Sequence, residues 1–99
     1  MLHIVNKSPL ERSTLDSCLA AAQPGAALLL IEDGVYAATR GHAAEGKLRA
    51  AQANLAIYVL APDLEARGMA QSLAEGVKPI DYAGFVELVT QHKNCLSWL

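Results

Sequence analysis

The apolar run at residues 26–31 and the acidic turn after it constrain the fold of this chain more than any other segment. Six apolar residues lead into Glu32, Asp33 and Gly34, and an alanine-containing stretch with helical character comes next. A short, wholly apolar run bounded by turn residues is typical of a strand buried on both faces, and such strands occur in parallel sheets. Because open parallel sheets meet ligands and partners beyond the carboxyl ends of their strands, we expect residues 32–34 to lie at the functional edge.

Strand-like and helix-like segments alternate along the whole chain. Strands are predicted at residues 2–6, 26–31, 55–60 and 77–80, and the tail at 95–99 fits a further strand at a sheet edge. Helical patterns occupy residues 9–23, 34–40, 43–52 and 61–68, and a last helix follows Asp81. This alternation predicts right-handed β-α-β crossovers, which build an α/β domain with a parallel sheet between helical layers. With 99 residues, the chain is expected to form a single domain, 1–99.

Polar residues near the predicted helix ends indicate how the helices begin. Ser8, Pro9 and Glu11 match a capping box with proline at the first helical position, so the first helix should start at residue 9. Three aspartates near the ends of predicted strands are expected to cap the helices beside them: Asp33, Asp63 and Asp81. Gly68 should end the helix at 61–68, where Arg67 would complement the helix dipole. Glu32 and Asp33 also admit a second interpretation, an acid/base pair at the carboxyl end of a strand.

Composition and charge exclude several classes of function. The chain is 53% hydrophobic and 18% charged. We interpret the apolar excess as an interface that a partner buries, and the alternative interpretation is an alanine-rich surface. Its net charge is −2 and its basic residues are scattered, which argues against direct binding of nucleic acid. No segment is apolar over the length that spans a bilayer, and the first residues fit a strand rather than a leader. We therefore expect no membrane partner and a cytoplasmic protein.

Motifs for metals and cofactors do not occur in the sequence. His3, His42 and His92 lack partners at metal-ligand spacing, and His3 within a strand is expected to be a hydrogen-bonded core residue. The loop after the first strand lacks the glycines that let a backbone approach phosphate, so a flavin or nucleotide site is not expected. Cys18 and Cys95 form no zinc or C-x-x-C pattern and are expected to be free thiols. We expect neither a metal nor a cofactor.

Several segments, taken in order and spacing, resemble one small family. They are Met1-Leu2-His3, Lys7-Ser8-Pro9, Glu32-Asp33-Gly34-Val35, Asp63 with Ala66-Arg67-Gly68, Asp81-Tyr82 with Phe85-Val86, and Trp98. Together they are similar to the DsrH/TusB family over essentially the whole chain. The resemblance implies a small flavodoxin-like three-layer sandwich with a mostly parallel sheet of four to five strands.

The resemblance also implies a function in sulfur transfer. Family members assemble with DsrE/TusD-like and DsrF/TusC-like subunits into a heterohexamer with two copies of each. These complexes pass persulfide sulfur toward 2-thiouridine at the tRNA wobble position or, in another branch, toward dissimilatory sulfur oxidation. The working cysteine belongs to the DsrE/TusD subunit, at a place that corresponds to residues 60–62 here, where this chain has none.

The cysteines lead to two hypotheses about the function of this chain. In the first, it is an accessory subunit of a sulfurtransferase complex, without a complete active site of its own. In the second, Cys18 or Cys95 carries persulfide directly. Cys18 resembles the position of a cysteine in some DsrH members, but its place on the apolar face of a helix favours packing. Cys95 has His92 and Lys93 nearby, and a cation favours the thiolate.

Overall fold

The computed structural model describes residues 1–98, in which strands and helices alternate. The strands are β1 (Leu2–Val5), β2 (Ala27–Leu30), β3 (Ala56–Leu60), β4 (Lys78–Ile80) and β5 (Cys95–Trp98). The α-helices are α1 (Thr14–Ala21), α2 (Glu45–Ala51), α3 (Ala61–Ala66) and α4 (Tyr82–Gln91). Two 3₁₀ segments, Glu32–Ala38 and Ala70–Ser72, lie between β2 and α2 and between α3 and β4.

The strands form one sheet in the order β4-β3-β2-β1-β5, and every neighbouring pair runs parallel. The predicted fold class, an α/β domain with a parallel sheet between helical layers, is confirmed. All four residues of β2 are buried, as its apolar run predicts, and the strand order places β2 at the centre of the sheet. The predicted tail strand pairs with β1 at the sheet edge, and its last predicted residue, Leu99, lies outside the described residues.

Helices cover the two faces of the sheet unequally. On the first face, α1, α2, α3 and the 3₁₀ helix pack over alternate strand residues such as Leu28, Leu30 and Val59. On the second face, Leu88 of α4 packs against Leu2 and Leu29. The chain steps from β1 to β4 in one direction and then returns across the sheet to β5. Right-handed crossovers therefore place the returning helix, α4, opposite the others.

The first helix begins later than predicted. The Ser8 hydroxyl accepts the Leu10 N–H at 3.2 Å, and the Ser8 carbonyl accepts the N–H groups of Glu11 and Arg12. These bonds close a local turn that does not continue, and α1 starts only at Thr14. The predicted capping box and helix start at residue 9 are therefore wrong. Serine side chains can bond the nearby backbone in non-helical turns, and here that turn replaces the first helical turns.

Candidate functional site

The connections that follow β3 and β4 lie on opposite faces of the sheet, so the carboxyl ends of these two neighbouring strands mark a reversal in the chain path. The chain leaves β3 into α3 on the first face, and it leaves β4 into α4 on the second. In open α/β sheets the crevice at such a reversal is where ligands bind. The residues that leave β3 are Leu60, Ala61 and Pro62, and Asp81 follows β4. Asp81 caps α4 as predicted, because its Oδ1 accepts the Gly84 N–H at 2.8 Å.

The acidic turn after β2 is fastened to α3. Asp33 Oδ1 accepts hydrogen bonds from Arg67 Nη2 at 2.9 Å and Nε at 3.1 Å. Arg67 Nη1 also donates to the Asp63 carbonyl at 3.2 Å, so one guanidinium joins the turn to the end of the helix. No side-chain cap occurs at the start of Glu32–Ala38, and the prediction that Asp33 caps this segment is therefore wrong. The guanidinium of Arg67 is a charged donor with several N–H groups, and Asp33 binds it instead of the backbone N–H groups at the start of its own segment.

Asp63 also binds the turn instead of capping its own helix. Its Oδ2 accepts the Glu32 N–H at 2.7 Å, whereas Asp63 itself lies within α3 with Leu60 as the N-cap residue. The predicted cap at Asp63 is therefore wrong. Glu32 has φ of 49°, in the left-handed region that non-glycine residues rarely adopt. The bond from Asp63 stabilises that conformation. These contacts support structural roles for Asp33 and Asp63, and they favour the structural interpretation of the turn over an acid/base pair of Glu32 and Asp33.

Glycines complete this junction at two places. A Cβ on Gly34 would collide with the carbonyl oxygen of Val5, so the turn can pass the end of β1 only with glycine there. Gly68 has φ of 69° after α3, as predicted for a helix end. The Gly68 N–H donates to the Glu65 carbonyl and the Met69 N–H to the Leu64 carbonyl, which is the Schellman arrangement.

A groove of about 220 Å³ lies beside this junction, at the carboxyl ends of β1 and β2. Its lining residues are Ser8, Leu10, Glu11, Asp33, Tyr36 and His42. The Nδ1 atom of His42 accepts the Ala44 N–H at 3.0 Å, which leaves Nε2 as the ring nitrogen available for a further hydrogen bond. Within residues 1–98, that buried Nε2 has no hydrogen-bond partner. Sequence reasoning missed this position of His42 because no local motif connects it to Ser8 or Asp33.

The two candidate cysteines lie apart from this edge and from each other. Cys18 is fully buried in α1, and burial raises the pKa of its thiol to about 11. Cys95 is exposed at the first residue of β5, in register with Leu2 at the amino end of the sheet. The strands are parallel, so Cys95 and the residues leaving β3 are at opposite ends of the sheet. The structure therefore brings neither cysteine to the crevice at the strand carboxyl ends.

His3 is a core residue. The Trp98 Nε1–H donates to His3 Nδ1 at 3.1 Å, and burial lowers the pKa of His3, with a smaller contribution from the positive N-terminus. Among residues 1–98, no group of three or more His, Cys, Asp or Glu side chains is placed to hold a metal ion.

Comparison with known proteins identifies the family. The model of the family described as "DsrH like protein" matches residues 7–95. The chain belongs to the DsrH-like family. Protein TusB of Pectobacterium parmentieri is 42% identical over 98 residues, which cover 99% of this chain and 100% of that protein. Protein TusB of Pectobacterium atrosepticum is 38% identical over 100 residues with the same coverage. The crystal structure of the ychN protein from E. coli has the same fold, with a TM-score of 0.80, 18% identity and 97% of each chain covered.

The edge of this DsrH-like sheet is rich in contacts that hold loops and poor in reactive groups. No cysteine follows β3 at residues 60–62, and the lining of the groove includes neither a thiol nor a cationic side chain. The arrangement can hydrogen-bond a small polar group or a partner's loop, but it offers no sulfur nucleophile. None of the helices described for this DsrH-like chain has the length and apolarity needed to cross a membrane.

Proposed function

We propose that this chain is an accessory subunit of a sulfur-relay complex that passes persulfide sulfur toward 2-thiolation of the tRNA wobble uridine. Its partners are DsrE/TusD-like and DsrF/TusC-like subunits in a heterohexamer, and it contacts no nucleic acid or membrane directly. Membership in the DsrH-like family carries this proposal. The complex would work in the cytoplasm, where thiols stay reduced.

The positions of the cysteines support an accessory role. Sulfur transfer as a persulfide needs an accessible thiolate, and a thiol with a raised pKa inside the core does not supply one. Cys18 has that setting. Cys95 is accessible but lies at the end of the sheet remote from the crevice. The reactive sulfur is therefore expected on a partner subunit.

An apolar stripe on α4 supports the role of a docking subunit. Tyr82 and Val86 are 60% and 64% exposed, and Val89 is also exposed. Their spacing of four and three residues places them on one side of the helix, and Phe85 continues the surface toward the sheet. Exposed apolar side chains that adjoin one another mark interaction surfaces in soluble proteins. We expect the sister subunits to cover this α4 stripe.

Assembly and sulfur loading test the proposal together. The tagged chain is co-expressed with its sister subunits, purified, and incubated with a cysteine persulfide donor, and each subunit is then weighed by mass spectrometry. We expect co-purification of all three subunits and a gain of one sulfur on a sister subunit only. Val86→Lys should abolish co-purification without unfolding the chain. Gln91→Lys is the matched control, an exposed change on α4 away from the stripe, and should leave assembly intact.

The direct-carrier alternative predicts a different result in the same experiment. A gain of one sulfur on this chain that disappears in Cys95→Ser or in Cys18→Ser would identify a direct persulfide carrier and contradict the accessory role.

Deletion of the gene tests which branch the subunit serves, and it should lower 2-thiouridine in bulk tRNA. Unchanged 2-thiouridine together with lost sulfur oxidation would move the subunit to the dissimilatory branch.

A further inference from the structure

The two edges of the sheet differ in how they are protected from another strand. Edge strands in native proteins commonly carry charges or proline, which discourage pairing with a further strand. The β4 edge has Lys78 and Pro79, and proline has no N–H to donate. The β5 edge, Cys95–Trp98, has neither a charge nor a proline. Among residues 1–98, β5 pairs with β1 alone, and its first three residues are exposed.

The register of β5 shows which of its backbone groups are free. The Leu2 N–H donates to the Asn94 carbonyl at 2.9 Å, and Leu2 and Ile4 lie opposite Cys95 and Ser97. In a parallel pair with this register, the residues that flank Cys95 and Ser97 bond to β1. The N–H and C=O groups of Cys95 and Ser97 therefore face outward, away from the sheet.

These outward groups are self-complementary. If a second β5 lies antiparallel, with Leu96 opposite Leu96 of the other copy, then Cys95 of each copy is opposite Ser97 of the other. Each such pair exchanges both of its hydrogen bonds, so every outward N–H and C=O of the two residues is satisfied. Leu96 is 43% exposed, and a directly opposed Leu96 would bury part of that surface.

We propose that two copies of this chain pair through their β5 edges, related by a two-fold axis at Leu96, to form one continuous ten-stranded sheet. The occupant is a second copy because the outward groups of Cys95 and Ser97 match their own two-fold image with none left over, and because a strand without charged residues meets no like-charge repulsion from itself. An isologous contact of this kind closes on itself and gives a dimer. Pairing through β5 requires no property of the sulfur relay, so its test is independent of the proposed function.

Self-association of the isolated chain tests the pairing. The contact is small, so we expect a monomer–dimer equilibrium that sedimentation resolves up to millimolar protein. Ser97→Pro removes an N–H that the monomer leaves free, and should weaken dimerisation by about tenfold or more while the melting curve stays close to wild type. Ser97→Ala keeps the N–H and is the matched control, with dimerisation unchanged. A wild-type chain that is monomeric throughout, or a Ser97→Pro dimer as tight as wild type, would overturn the proposal.

A disulfide cross-link tests the register even if Ser97→Pro fails to fold. The two Leu96 residues form a non-hydrogen-bonded pair, whose Cα separation of about 4.5 Å fits a disulfide. Leu96→Cys in a Cys95→Ser background should therefore give a linked dimer on oxidation. Val86→Cys in the same background, exposed on α4, should not. Equal cross-linking at both sites would contradict pairing at β5. The proposal would also be contradicted if the wild-type chain is monomeric and Ser97→Pro weakens only its binding to sister subunits, because that result assigns the β5 edge to those subunits.

Discussion

Gly34 shows how one residue can fix the path of the chain at the site. Its missing side chain lets the turn after β2 pass against the carbonyl of Val5 at the end of β1. The E-D-G pattern therefore has a packing requirement at its third position, separate from any role of its two acids. A side chain at this place needs the backbone of either β1 or the turn to move.

Gly34→Ala should lower the free energy of unfolding by about 1–3 kcal/mol, because the new methyl group overpacks a site closed by backbone. Urea unfolding followed by circular dichroism measures the change. Gly46→Ala is the matched control, since a Cβ at Gly46 in α2 meets no atom within 4 Å. That substitution should stabilise by about 0.5–1 kcal/mol through helix propensity. Equal effects of the two substitutions would contradict the packing role of Gly34.

His3 couples the core to pH. Burial lowers its pKa, so between that pKa and the unfolded value of 6.5 the unfolded chain binds more protons than the folded one. The stabilisation that the neutral His3 ring contributes to the folded state is therefore fully present above pH 6.5. It is lost as the pH falls through the pKa of His3 in the folded chain. We expect the melting temperature to fall on acidification below pH 6.5, and less so in His3→Gln. Trp98 is the single tryptophan and bonds to His3, so its fluorescence should report the same titration. Identical pH profiles for wild type and His3→Gln would contradict this account.

At the scale of elements, one ion pair joins the turn after β2 to the end of α3. Arg67 contacts both Asp33 and the Asp63 carbonyl, while the Asp63 carboxylate holds the Glu32 N–H. Segments more than thirty residues apart are thus held together by polar contacts at the carboxyl edge of the sheet. The local sequence around each residue favours a cap or a dipole interaction instead, which is why the contact was missed.

A double-mutant cycle measures this junction. With Arg67 and Asp33 side chains 23% and 46% exposed, the pair is partly screened, and we expect a coupling energy of about 1 kcal/mol in Arg67→Ala and Asp33→Asn. Arg67→Lys should not restore it, because an ammonium lacks the fork that reaches two acceptors. The Lys47–Asp16 pair, 54% exposed on both sides, is the control and should couple by only a few tenths of a kcal/mol. Similar coupling in the two pairs would contradict a special role for Arg67.

At the scale of the whole molecule, the strand order leaves two surfaces for other proteins. One helix covers the second face, so α4 buries Leu88 inward and presents the Tyr82–Val86–Val89 stripe outward. The order also leaves β5 at an edge whose free backbone groups are not protected by charge or proline. We propose that sister subunits cover the stripe and that a second copy pairs with the edge. A subunit in a larger assembly can use both surfaces at once.

The sequence by itself determined which segments form strands and helices, their order and the parallel sheet. The spacing of apolar residues and the turn residues decide this locally, over a few neighbouring residues. It also indicated the buried Cys18, the cap at Asp81 and the resemblance to the DsrH/TusB family. Only the tertiary structure decided which partner each polar group takes: Ser8 closes a turn, Asp33 binds Arg67, and Asp63 binds Glu32. Those choices depend on competition between the adjacent backbone and distant donors, and the distant donor is present only once the sheet has brought the strand ends together.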